Sequence, residues 1–150
     1  MARGVILYIV LVITLAAVAI ASINQVSSEK LSPNDRITED QIHVYSDRIV
    51  IDIEEASWAT YADTNSMDPL LDIGANGIEI MPKSENDLHL GDIAAYQPKN
   101  SQELIVHRIV AIKEDEQGKY FILKGDNNKT EDIEKVRFNQ IKYVLIGIIY

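Results

Sequence analysis

Leu104–Lys113 reads LIVHRIVAIK, a run of aliphatic, mostly β-branched side chains broken only by His107 and Arg108. Branching at Cβ restricts χ1 and suits a pleated, half-buried surface, so this run predicts a strand. Glu114–Gly118 (EDEQG) is polar and ends in glycine, and Lys119–Lys124 (KYFILK) is a second run of the same kind. Together they predict a β-hairpin. Working outward, Gly77–Met81, Asp92–Tyr96 and Ile141–Tyr150 read as further strands. Gln41–Tyr45 and Arg48–Ile53, with Ser46-Asp47 between them, read as a second hairpin. Asp132–Phe138 is expected to be a short helix, with Ile133 and Val136 as its apolar stripe. From residue 24 to 150 there are 25 Ile and Val against 8 Leu, which favours strands throughout. The expected fold is mostly β, with a single N-terminal transmembrane helix ahead of a compact β domain.

That helix is expected in the first residues. Gly4–Ile23 (GVILYIVLVITLAAVAIASI) holds no charge, and twenty helical residues reach roughly 30 Å, the thickness of bilayer hydrocarbon. Cleavable signals have shorter apolar regions, so the segment is read as a retained anchor. Arg3 and the α-amino group before it favour a cytoplasmic N-terminus. The expected location is the cell membrane, crossed once, with the remaining chain on the outer face. Asn24–Asp40 is polar and without hydrophobic period, a linker. The expected organisation is therefore anchor 1–23, linker 24–40 and β domain 41–150.

Composition removes several function classes. In 150 residues, 14 basic side chains face 23 acidic ones, a formal charge of −9, so the basic footprint that nucleic-acid binding needs is missing. Cysteine is absent, which excludes disulfides, thiolate metal sites and cysteine nucleophiles.

Three clusters carry chemistry. In Thr64-Asn65-Ser66-Met67-Asp68-Pro69 the proline constrains a turn that offers a serine hydroxyl and nearby backbone N–H groups, the parts of an oxyanion hole. In Leu104–Val110, alternation sets Ile105, His107 and Ile109 on one face, and the loss of solvation favours a neutral imidazole able to accept a hydroxyl proton. His43 and His89 lack such flanks. Lys124-Gly125-Asp126-Asn127-Asn128, with Asp132 beyond it, supplies carboxylates and amides where the chain reverses. The spacing of Asp126, Asn128 and Asp132 does not follow the calcium-loop pattern. No metal or cofactor is expected. Each cluster alone is also what an ordinary turn or strand would contain. Together they offer a nucleophile, a base and a group to orient the base.

The order NSMDP, LGDIAAY, IVHRIV and KGDNN-x3-D after one apolar segment resembles the type I signal peptidases, and more narrowly their archaeal and endoplasmic-reticulum branch, in which histidine replaces the catalytic lysine. The resemblance runs from about Thr64 to Tyr150. It implies Ser66 as nucleophile, His107 as general base and Asp132 as the carboxylate completing the triad, with Asp126 either catalytic or organising the loop. Thr64 and the Ser66 N–H would form the oxyanion hole. Met67, Ile78 and Ile80 would wall shallow pockets for small side chains before the cut. It also implies signal peptides of preproteins as substrates, and the lipid bilayer and the secretion machinery as partners. Trp58 and Tyr61, shortly before Ser66, read either as amphipathic aromatics at the lipid interface or as core packing. Two departures stand beside the nucleophile: Leu70 follows Pro69 where the family has threonine, and Gly74-Ala75 replaces a Gly-Asp pair. These leave room for a catalytically silent, membrane-anchored peptide-binding β domain. A self-cleaving regulator of the serine–lysine type would need Lys113 as base.

Overall fold

A computed structural model describes Lys30–Tyr150, and its regular structure is almost entirely β. The strands are β1 (Ile42–Val44), β2 (Ile49–Ile51), β3 (Ser57–Thr60), β4 (Asn76–Ile80), β5 (Ile93–Tyr96), β6 (Ile105–Asp115), β7 (Gly118–Lys124) and β8 (Ile141–Ile149). Among the described residues no helix is long and apolar enough to cross a membrane. The expected anchor, residues 4–23, lies outside them.

β1 and β2 pair as a separate hairpin, with Val44 opposite Ile49 around Ser46-Asp47. The other six strands form one antiparallel sheet in the order β3-β4-β8-β5-β6-β7. The long β6–β7 hairpin turns where EDEQG predicts it, with Asp115 opposite Gly118. Its register slips at Val110, so that Ile109 faces Leu123 and Ile112 faces Phe121. The extra residue is what allows a spacing of three on β6 to match a spacing of two on β7, keeping all four side chains on one face.

That face carries the larger core: Ala94, Tyr96, Ile109, Phe121, Leu123, Val136, Ile141 and Val144 are buried together, with Leu88 closing one side. A second cluster of Met67, Leu71, Ile93 and Leu145 lies on the opposite face. His107 and Tyr96 share the first face, since His107 pairs with Ala94 and Ile105 with Tyr96.

Two expectations change. Asp132–Phe138 is not a helix; Val136 bridges Phe121 through a reciprocal pair of backbone hydrogen bonds (2.8 and 3.0 Å), and only Phe138–Gln140 makes a short 3-10 turn. Ile133 is fully exposed while Val136 is fully buried, so the two never form a stripe. β3 was not expected at all, because SWAT contains no aliphatic alternation; it is an edge strand held by β4.

The described part of the polar stretch before residue 41 packs closely against the β domain. The Asn34 N–H donates to Asp92 Oδ1 (3.0 Å), and Arg36 Nη2 donates to Asp92 Oδ2 and to the Asp87 carbonyl. Asp92 is completely buried, and the His89 N–H also donates to its Oδ2.

Candidate active site

Ser66 opens the turn Ser66–Leu70, and Asn65 before it takes the left-handed conformation at φ 56°, which asparagine tolerates better than most residues. The turn is anchored by Met67, whose side chain is buried in the second core cluster and whose sulfur accepts the Asp126 N–H at 3.4 Å. The carboxylate loop closes over the turn from the other side. The Asn127 N–H donates to the Ser66 carbonyl (2.9 Å), and Asn127 Nδ2 to the Asn65 carbonyl (2.9 Å). Gly125 permits this contact, because a Cβ there would stand 2.6 Å from the Ser66 carbonyl oxygen.

His107 is the third residue of β6 and is almost fully buried. Its ring N–H at Nδ1 donates to Asp132, at 2.7 Å to Oδ2 and 3.0 Å to Oδ1. A carboxylate at Nδ1 fixes the tautomer with its lone pair at Nε2, the nitrogen a hydroxyl would address. Asp132 is held in turn: its N–H donates to the Leu123 carbonyl (2.8 Å), and Tyr96 Oη donates to Oδ2 (2.9 Å). Burial first, and then the Asp132 charge, push the Tyr96 phenol above its ordinary range, so it stays protonated and remains a donor.

Asp126 does something else. Arg108 Nε and Nη2 grip its two oxygens at 2.8 and 2.7 Å, and Arg108 Nη1 donates to the carbonyls of Gly91 (2.8 Å) and Leu31 (2.9 Å). Between the two readings of Asp126, its contacts are those of a loop organiser.

Ser66 and His107 line one cleft of about 390 Å³, together with Tyr61, Thr64, Met67, Leu71 and Val106. Ser66 Oγ lies 3.1 Å from Thr64 Oγ1, and the Ser66 N–H points at the same hydroxyl (3.4 Å). Among the described residues no hydrogen bond joins Ser66 Oγ to the His107 ring. A cavity of similar size, about 410 Å³, lies between Ser32–Ile37 and Leu145–Ile148 and contains none of these groups.

Ser66, Met67, Thr64, His107 and Asp132 therefore come together, with Asp126 just behind. Ile78 and Ile80 do not: they stand on the face of β4 opposite the buried Gly77 and Glu79, away from the cleft. Alternation gave the two faces of β4 without saying which turns inward, and the inward one is Gly77 and Glu79. His43 bonds Asp52 (3.0 Å) on the separate hairpin, and His89 lies beside Asp92; neither lines the cleft. Tyr96 and Arg108 are the partners that sequence reasoning missed. The signal for Tyr96 was its parity with Ala94, but using it requires knowing that Ala94 faces His107.

The chain is 43% identical over 51 residues to an uncharacterised protein of Methanocaldococcus jannaschii; the match covers 34% of this chain and spans about a quarter of that protein's length. No family model matches the chain, and no solved structure gives a significant match.

Proposed function

We propose that this chain is a membrane-anchored serine endopeptidase that removes N-terminal signal peptides from secreted preproteins. The observation that carries the reading is the His107 Nδ1–Asp132 contact at 2.7 Å on a ring that shares a cleft with Ser66. In this scheme Ser66 Oγ attacks the scissile carbonyl while His107 Nε2 takes its proton. Asp132 holds the ring and stabilises the imidazolium. The C–N bond then breaks as His107 returns the proton to the departing amine, leaving an acyl ester on Ser66. Water, deprotonated by His107, hydrolyses that ester and restores the serine hydroxyl.

The Ser66 N–H and the Thr64 hydroxyl, which bond each other in the free site, turn to the developing oxyanion when substrate binds. A donor of that kind is worth on the order of 3–4 kcal/mol of transition-state stabilisation. Gly4–Ile23 acts as anchor and confines enzyme and membrane-held substrate to one surface, which raises effective concentration without adding contacts. The cell membrane, with the β domain on its outer face, is the location this scheme requires, and the secretion machinery is the source of substrate.

The Ser66–Thr64 hydrogen bond, in place of one to His107, favours the rival reading of a silent peptide-binding domain. Incubating the detergent-solubilised full chain with a labelled preprotein separates the two. Cleavage that disappears in both Ser66→Ala and His107→Ala supports the peptidase; saturable binding with no cleavage by the unaltered chain supports the binding domain.

A further inference from the structure

Glu79 is a carboxyl group only 4% exposed in the middle of β4, and Tyr61 Oη donates to its Oε1 at 3.2 Å. Among the described residues no cation pairs with Glu79. Buried carboxyls without a cation are costly, so this one calls for a reason.

The backbone supplies it. Tyr61 follows β3, two residues beyond Ala59, which pairs with Gly77. The phenol lies across Gly77 so closely that a Cβ there would stand 1.8 Å from its oxygen and 2.8 Å from its Cζ. Any side chain at 77 would evict the ring. At its far end the ring is tied to Glu79, and along its flank it packs on the cluster of Met67, Leu71, Ile93 and Leu145. A tyrosine fixed at three places is a rigid wall, and this wall belongs to the cleft that holds Ser66 and His107. Burial pushes the Glu79 carboxyl up, with the Tyr61 hydrogen bond offsetting part of the rise, and burial together with Glu79 pushes the Tyr61 phenol up.

We propose that Tyr61, locked by Gly77 and Glu79, is a specificity-determining residue that limits the size of the peptide side chain entering the cleft beside Ser66. The inference rests on reading that cleft as the peptide site. Removing the phenol opens space between Met67, Leu71 and Val106, and discrimination in an apolar pocket follows the room available, at roughly 10–200-fold for one methylene more or less.

The test uses the full chain in detergent and three peptides that differ only in having alanine, leucine or phenylalanine before the cut. Tyr61→Ala is expected to shrink the alanine-over-leucine ratio in kcat/KM by about tenfold or more, through a lower KM for the leucine peptide. Tyr61→Phe keeps the ring but frees it from Glu79 and is expected to shrink the ratio less. Glu79→Gln, which still offers an acceptor, is expected to restore the ratio seen with Glu79. An unchanged ratio in both Tyr61 variants overturns the proposal. The same peptides, fluorescently labelled, are also titrated onto Ser66→Ala with and without Tyr61→Phe. If the unaltered chain cleaves none of them, the hydrolytic reading fails, but the ratio of Kd values still decides whether Tyr61 selects by size. Should Tyr61→Ala not fold, Tyr61→Phe alone carries the decision.

Discussion

Asp126 and Asp132 sit six residues apart on one loop, both largely buried, and the chain uses them for opposite purposes. Asp126 meets a guanidinium at two points. Arginine keeps its charge at any ordinary pH and its fork matches a carboxylate, so this pair can hold a loop but cannot pass a proton. Asp132 meets an imidazole and a phenol, and an imidazole, unlike a guanidinium, can take up and give back a proton during a reaction. The same side chain becomes a bolt or an adjustable support according to what its partner can do.

The largest effect expected is on the chemistry that Asp132 supports. Ser66→Ala and His107→Ala should each lower kcat for a preprotein by three orders of magnitude or more, measured by gel or mass-spectrometric cleavage. Asp132→Asn should retain the fold and lower kcat by about 10³–10⁴-fold, since an amide fails to hold the required tautomer.

Asp126→Asn should show the reverse pattern. It leaves the Arg108 charge buried without its counter-ion, at a cost on the order of 3–5 kcal/mol, read as a lower denaturation midpoint. The kcat of the folded fraction should change far less than in Asp132→Asn. Equal losses of kcat in the two variants, without a stability difference, would break the comparison. Arg36→Ala extends it: Asp92 loses its cation in a fully buried position, and stability should fall by an amount similar to that of Asp126→Asn.

Smaller effects sharpen it further. Tyr96→Phe removes one donor from Asp132 and should lower kcat by about five- to tenfold, the worth of roughly 1 kcal/mol. Glu79 gives a pH signature. Its folded-state carboxyl is raised by burial, so its contribution to stability is complete below its ordinary value of about 4.5 and is lost as pH rises through the raised one. Glu79→Gln should flatten that part of the stability–pH curve, measured by denaturant melts from pH 4 to 8.

Much of this was legible because the strong signals were local. The β6–β7 hairpin follows from LIVHRIVAIK, EDEQG and KYFILK, and the two-residue turn of the β1–β2 hairpin from Ser46-Asp47. Ser66, His107 and Asp132 lie far apart along the chain, and it is the fold that sets His107 on Asp132 and in the cleft that Ser66 lines. What failed was non-local. Ile133 and Val136 have the spacing of a helix, yet Val136 is claimed by Phe121 across a bridge. Ile78 and Ile80 have the parity of a wall, yet Tyr61 covers the other face of β4. β3 contains no pattern of its own and exists because β4 offers an edge. Arg108 and Tyr96 acquire their roles only when strand pairing sets them beside Asp126 and Asp132.

Nucleophilic attack by Ser66 is tested by trapping the covalent step. The full chain in detergent is mixed with a peptide ester whose acyl half ends in alanine, quenched in acid within one turnover, digested and weighed. The expected result is an added mass equal to that acyl half on the fragment containing Ser66, present in the unaltered chain and missing in His107→Ala. Steady turnover with no adduct on that fragment, or an adduct formed equally well without His107, would contradict it.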